Sequence, residues 1–145
     1  MSMIKVLSLM QPWAELVVNG AKAIETRSWP TRYRGELYIH ASKKFFYSDL
    51  ELYYQDHFFR KNLPDPKKLI TGAIIGKVNL VNVVAVEELD GKLSKQERTF
   101  GDYTTGRFAW ILESPQRLSQ PIPAAGKLSI WEYEFQDIKE EVSHD

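Results

Sequence analysis

A long β-branched run from Gly72 to Val86 sets the strongest limit on how this chain folds. Val, Ile and similar residues fit a pleated, half-buried surface, so the run predicts a strand. Its apolar alternation slips near Val81-Asn82, which predicts a bend there. A strand this long needs partners on its edges and packing on its faces, so the fold is built around a sheet.

The partners are legible on either side. Ile4 to Leu9 reads as a short strand. A helix then starts near Gln11, with Pro12 as its first residue, Trp13, Leu16 and Val17 on one face, and Gly20 free to adopt the left-handed conformation that ends it. Ala23 to Trp29 alternates as a strand: Glu25, Arg27 and Trp29 point one way, Ile24, Thr26 and Ser28 the other. Pro30 to Gly35 forms a loop, and Glu36 to Ser42 a strand with Tyr38, His40 and Ser42 on one face. Ser48 and Glu51 fit a capping box. The helix they open is expected to run to about Lys61, with Leu50, Tyr53, Tyr54, His57 and Phe58 as its apolar stripe. Ser94 starts a short helix. Arg107 to Leu112 and Leu128 to Phe135 are further strands, and Leu118 to Gly126, with Pro121 and Pro123, is an extended connection. Trp13, Trp110, Trp131 and the aromatics of the Ser48 helix are expected in the core.

Length and composition close off other classes. The 145 residues fit one domain, and 43% hydrophobic content is that of a globular chain. No apolar run approaches the ~18 residues that span a bilayer, and no signal pattern opens the chain. Cysteine is absent, which removes disulfides and thiolate metal sites. His40, His57 and His144 share no metal-ligand spacing. There is no phosphate loop, dinucleotide fingerprint or nucleophile elbow. A cytoplasmic protein without metal or cofactor is expected, with no membrane partner and an oligomeric state the sequence leaves open.

Net charge is zero, but its distribution is uneven. Lys22 to Lys44 carries six basic residues against two acidic ones, a net +4, and Glu132 to Asp145 carries a net −5. A local basic patch suits a polyanion, and it also suits a plain solvated face.

Two constellations carry chemistry. In the first, Lys22 lies just before Glu25 and Arg27, which share a strand face. A desolvated lysine beside a carboxylate can exchange protons, and an arginine can grip a phosphate. The spacing alone also fits an inert salt bridge. The second set is Gln11, Trp13, Trp29, Tyr33, Tyr38, His40 and Ser42. Aromatic rings beside arginines suit base stacking and backbone neutralisation, and the Gln11 amide suits a base edge.

Leu7-Ser8-Leu9-Met10-Gln11-Pro12-Trp13-Ala14, the Gly20-x-Lys22-x-x-Glu25-x-Arg27 pattern, Tyr33-Arg34-Gly35 and Ile39-His40-Ala41-Ser42 together resemble the ASCH domain family. Gly72-Ala73-Ile74-Ile75-Gly76, Phe108-Ala109-Trp110, Pro121-Ile122-Pro123 and Gly126 fit the same pattern, so the resemblance extends to about Phe135. It implies an α+β, PUA-like β-barrel of five to six mixed or antiparallel strands with two to three helices. Residues 1–135 would form this domain and 136–145 an acidic tail.

The resemblance further implies a cleft lined by the Lys22–Arg27 segment that takes RNA or a nucleotide-like small molecule. Some small members are hydrolases: ribonucleases, or amidohydrolases that deacylate N4-acetylcytidine with a lysine, a threonine and a glutamate. Their lysine falls on Lys22 and the motif arginine on Arg27, while the threonine position holds Glu25. Glu87 and Glu88 are candidates for the later glutamate. The reading is therefore a cleft in which Arg27 and Arg34 hold anionic groups, Trp29 and Tyr33 stack a base, Gln11, His40, Ser42 and Lys43 add contacts, and Lys22 and Glu25 carry any catalysis. The alternatives are the deacylase and a non-catalytic interaction module.

Overall fold

A computed structural model describes residues 2–44 and 47–135. Six strands form one mixed sheet: β1 (Ser2–Leu9), β2 (Ile24–Arg27), β3 (Gly35–Ala41), β4 (Ala73–Ala85), β5 (Phe108–Pro123) and β6 (Ile130–Phe135). Their order is β2-β5-β4-β3-β1-β6, with only β1 and β3 parallel. Four α-helices accompany it among the described residues: α1 (Trp13–Val18), α2 (Tyr47–Tyr54), α3 (His57–Asn62) and α4 (Lys95–Phe100). That is one more than the resemblance implies. The expected barrel also does not close. β2 and β6 are the two ends of the strand order, with no ladder between them.

The Gly72 run forms β4, the sheet's longest-paired strand, with β3 on one edge and β5 on the other. Its register against β5 shifts between Leu80 and Asn82, where the alternation slips in the sequence. The core between this sheet and α1 is built from Leu7, Leu9, Val17, Val18, Leu37, Ile39, Ile75, Val78, Leu80 and Trp110, among others. A second cluster of Ile4, Val6, Tyr38, Ile74, Leu118 and Trp131 forms around β1, β3, β4 and β6. Among the described residues no helix is long and apolar enough to cross a membrane.

Several elements differ from expectation for local reasons. Pro12 is the N-cap of α1 rather than its first helical residue. The Ser48–Lys61 helix is two helices, because the Asp56 carboxylate accepts from the Phe58 and Phe59 amides and restarts the turn. The new phase buries Phe59 and leaves His57 exposed. α2 opens at Tyr47, one residue ahead of Ser48, whose side chain lies outside the described residues, as does the acidic tail. Arg107–Leu112 and the proline-bearing connection merge into the single strand β5. β2 flanks β5 only along Phe108–Ile111, so Pro121 and Pro123 sit where the strand has a neighbour on one side only.

Gly76 sets how closely α1 approaches the sheet. A β-carbon there would lie 2.6 Å from both the Gln116 carbonyl oxygen and Val18 Cγ1. Gly76→Ala should cost about 1–3 kcal/mol through overpacking, read as a lower urea midpoint. Adding Val18→Ala should recover part of that loss, because only the helix-side clash is removed.

Candidate functional site

The open seam of the sheet holds a cleft of about 470 Å³. One wall is aromatic: Trp13, Tyr53, Phe59 and Phe100. Trp13 meets Tyr53 edge-on at 4.9 Å and donates its indole N–H to the Phe100 carbonyl at 3.0 Å. Tyr53 stacks on Phe59 at 5.1 Å, and Phe59 meets Phe100 at 4.8 Å. The rest of the lining includes the polar residues Ser8, Glu25, Arg27, Ser42 and Asp102.

The polar part of the lining is organised by Arg27. Its Nε donates to Glu25 Oε2 at 3.0 Å, and its Nη2 donates to the Ser8 carbonyl at 3.1 Å. The Leu9 carbonyl accepts from Ser42 N–H on the β3 side. By strand alternation the Ser8 carbonyl points the other way, past the start of β6 at Ile130, which pairs with Leu7. Arg27 thus bridges β2 to a carbonyl that the sheet leaves open.

Lys22 stands behind Glu25. It is 1% exposed, donates to the Ile24 carbonyl at 2.5 Å and lies 3.8 Å from Glu25 Oε1. Burial lowers its pKa, against the pull of the Glu25 and Glu97 carboxylates, and Arg27 lowers it further. Glu97 was not anticipated. Its carboxylate accepts from the Ala23 and Ile24 amides at 3.0 and 3.1 Å, fixing the turn that carries Lys22 into β2. Its own pKa is raised by burial, opposed by those two amides and Lys22. Ser94-Lys95-Gln96-Glu97 reads as a capping box, which would assign the carboxylate to its own helix. Here Ser94 does cap the Glu97 amide, while the Glu97 side chain serves β2.

The other sequence candidates divide. Ser42 borders this cleft and a second one of about 440 Å³, which His40 and Lys43 also line. His40 Nε2 lies 2.7 Å from the Ala124 carbonyl, an acceptor only, so Nε2 carries the proton. Nδ1 then accepts from Ser8 Oγ at 3.0 Å, and Ser8 Oγ accepts from the Trp131 indole at 3.1 Å. Gln11 is buried with its amide committed to the Ile70 carbonyl and the Glu15 amide.

Trp29, Tyr33 and Arg34 do not line either cleft. β2 ends at Arg27, so alternation no longer aims Trp29, which packs edge-on against Trp110 at 4.8 Å. Tyr33 packs on the main core and donates to the Glu36 carbonyl, and Arg34 donates to the Thr31 and Tyr33 carbonyls. Thr26 borders the first cleft, but its hydroxyl accepts from the Asp102 amide at 3.0 Å. Glu87 and Glu88 accept from the Gly106 and Ala85 amides and do not line the clefts. Trp13 and Tyr53, expected in the core, are half-buried and line the first cleft, with Tyr53 also packing on the Leu16, Phe59 and Phe100 cluster. Among the described residues no group of His, Asp and Glu is placed to hold a metal.

The fold is thus a mixed α+β sheet whose unclosed seam carries a glutamate–arginine–lysine cluster. The chain belongs to the ASCH domain family, whose sequence pattern matches residues 7–122. It is 31% identical over 130 residues to Activating signal cointegrator 1 of Mus musculus and of Homo sapiens, an alignment covering 86% of this chain. The chain spans only 21% of the length of those relatives. Its fold is similar to that of a single-substitution variant of an ASCH protein from Zymomonas mobilis, with a TM-score of 0.50 and 22% identity. That match covers 82% of this chain and 74% of the other.

The buried lysine gives a pH signature. Its folded pKa lies below the ordinary lysine value of 10.5, so the folded state releases the proton before the unfolded one does. Stability therefore gains from this group as pH rises through the folded pKa toward 10.5, and the gain is absent below. Urea unfolding at pH 7 and pH 10 should show the wild type improving relative to Lys22→Met at the higher pH. The tyrosines with raised pKa are common to both proteins and cancel in the difference.

Proposed function

We propose that the first cleft binds a single unpaired nucleobase, presented by RNA or by a free nucleoside. The observation that carries this reading is Glu25. Its carboxylate is held between Lys22 and Arg27 and lines a cleft of about 470 Å³ together with Trp13, Tyr53, Phe59 and Phe100. That volume is within the range of small-ligand sites, with an apolar wall for a ring and a few fixed polar groups for its edge. A carboxylate accepts from the exocyclic amine and ring N–H groups of a base, and aromatic side chains stack on unpaired bases. Membership of the ASCH family supports the same ligand class.

Titration calorimetry with the four ribonucleosides and a short single-stranded RNA tests this. Trp13→Ala should weaken binding by about 1–3 kcal/mol, the usual worth of one stacked base. Arg34→Ala should leave affinity unchanged, because its guanidinium is turned to the Thr31 and Tyr33 carbonyls. Failure of every nucleoside and of the RNA to bind at low salt would sink the proposal.

Deacylation of N4-acetylcytidine is a second reading, favoured by the lowered pKa of Lys22 beside a cleft-facing carboxylate. Lys22 reaches the cleft through Glu25, so water attacks the acetyl carbonyl, Glu25 takes its proton and passes it to N4 as the C–N bond breaks, and acetate and cytidine leave. Glu25→Gln should then reduce cytidine release about 100- to 10,000-fold. Thr26→Val should retain most of the rate, and its inactivation in a folded protein would return the role to the threonine.

A further inference from the structure

The second cleft differs in kind from the first. It is lined by Arg27, Lys43, Lys44 and Lys127, and among the described residues no carboxylate lines it. Arg27 shares its charge with Glu25. Among the described residues, Lys43, Lys44 and Lys127 form no ion pair. Two of the lysines are steadied by their neighbours. The Lys43 stem lies against Gly72, where a β-carbon would sit 3.0 Å from both Lys43 Cγ and Cε. The Lys127 ammonium lies over the Trp131 ring at 6.0 Å. Gly126 lets the loop carrying Lys127 press onto the β1–β3 edge, because a β-carbon there would lie 2.8 Å from the His40 ring and 3.0 Å from Ser8 Oγ. Like charges gathered in this way repel one another unless an anion sits between them.

The two clefts share Ser8, Met10, Arg27 and Ser42 as a common wall. A ligand that fills one and continues into the other therefore passes these four residues. Met10 on that wall and Leu128 in the second cleft are exposed apolar side chains. They suit the sugar of a nucleotide better than its phosphate.

We propose that the second cleft is a phosphate subsite, in which Lys43, Lys44 and Lys127 hold the phosphate ester joined to the base in the first cleft. This rests on the base-binding reading and narrows it: the ligand class is a nucleotide, free or within a single strand, and not a bare nucleoside. Lysine supplies point charges that match phosphate oxygens without demanding one orientation, so either a terminal or a bridging phosphate is accepted.

The test compares the wild type with Lys43→Gln/Lys44→Gln/Lys127→Gln, which removes charge from exposed stems and leaves the core untouched. The four ribonucleosides, their 5′-monophosphates, inorganic pyrophosphate and a single-stranded RNA octamer are titrated into each. Wild type should bind at least one monophosphate about tenfold or more tighter than its nucleoside, the scale of one added hydrogen bond to a charged group. In the triple variant that advantage should vanish while nucleoside affinity stays the same.

If the polymer is the source, the octamer should bind more tightly than any monophosphate. In the triple variant its log–log salt slope should then flatten by about 0.7 for each phosphate no longer neutralised. If the free nucleotide is the source, the octamer should offer no gain. Lysine-dependent pyrophosphate binding without any nucleoside binding would overturn the base reading and leave the phosphate subsite standing. Equal affinity of nucleoside and monophosphate, or an undiminished advantage in the triple variant, would overturn the subsite.

Discussion

Arg27 is the side chain on which the site depends. It leaves an edge strand, pairs with Glu25 beside it, and caps a β1 carbonyl beyond the reach of β6. A closed barrel would fill this seam with backbone ladder. Here a guanidinium fills it, and the space to either side becomes two clefts. The arrangement is demanding, because charges withdrawn from water must be matched and hydrogen-bonded to be tolerated. Glu25 meets that requirement with cations on both sides, at 3.0 Å from Arg27 and 3.8 Å from Lys22. Deleting any one member strands the others, which is costlier than never having buried them.

The two clefts divide the electrostatics of a neutral chain. On one side of Arg27 the lining holds the carboxylates of Glu25 and Asp102, beside aromatic rings. On the other the lining is cationic with small and apolar neighbours. Overall charge therefore describes neither surface. The +4 segment is likewise not one patch. Lys22 is buried, Arg27 bridges strands, Arg34 is bound to its own loop, and Lys43 and Lys44 face the second cleft with Lys127 from much later in the chain.

What the sequence made legible is what local periodicity controls. Strand alternation put Glu25 and Arg27 together, β-branched content marked β4, and the slip at Val81-Asn82 marked its register shift. Gly20, with φ +86, closes the turn after α1 as its lack of a β-carbon allows. The rest depends on where elements stop and what they meet. Trp29 left the strand face because β2 ends two residues earlier. Phe59 replaced Phe58 in the core because Asp56 reset the helix phase. Gln11 looked like a reader of bases, but tertiary contacts to Ile70 and Glu15 occupy its amide. Sheet closure is likewise invisible to a residue-by-residue reading, since it is decided by whether two distant edges meet.

Glu97 shows how far the motif is from being self-contained. Gly20 to Trp29 holds Lys22, Glu25 and Arg27 within one short stretch, yet its turn is fastened by a carboxylate 74 residues from Ala23 and its arginine by a carbonyl 19 residues back. Contacts of such long sequence separation form only after the loop-closure entropy of the intervening chain has been overcome. The site is thus assembled by the tertiary fold and not by its own stretch of chain. A peptide cut from this stretch would contain the lysine, the glutamate and the arginine, and would hold none of them in place.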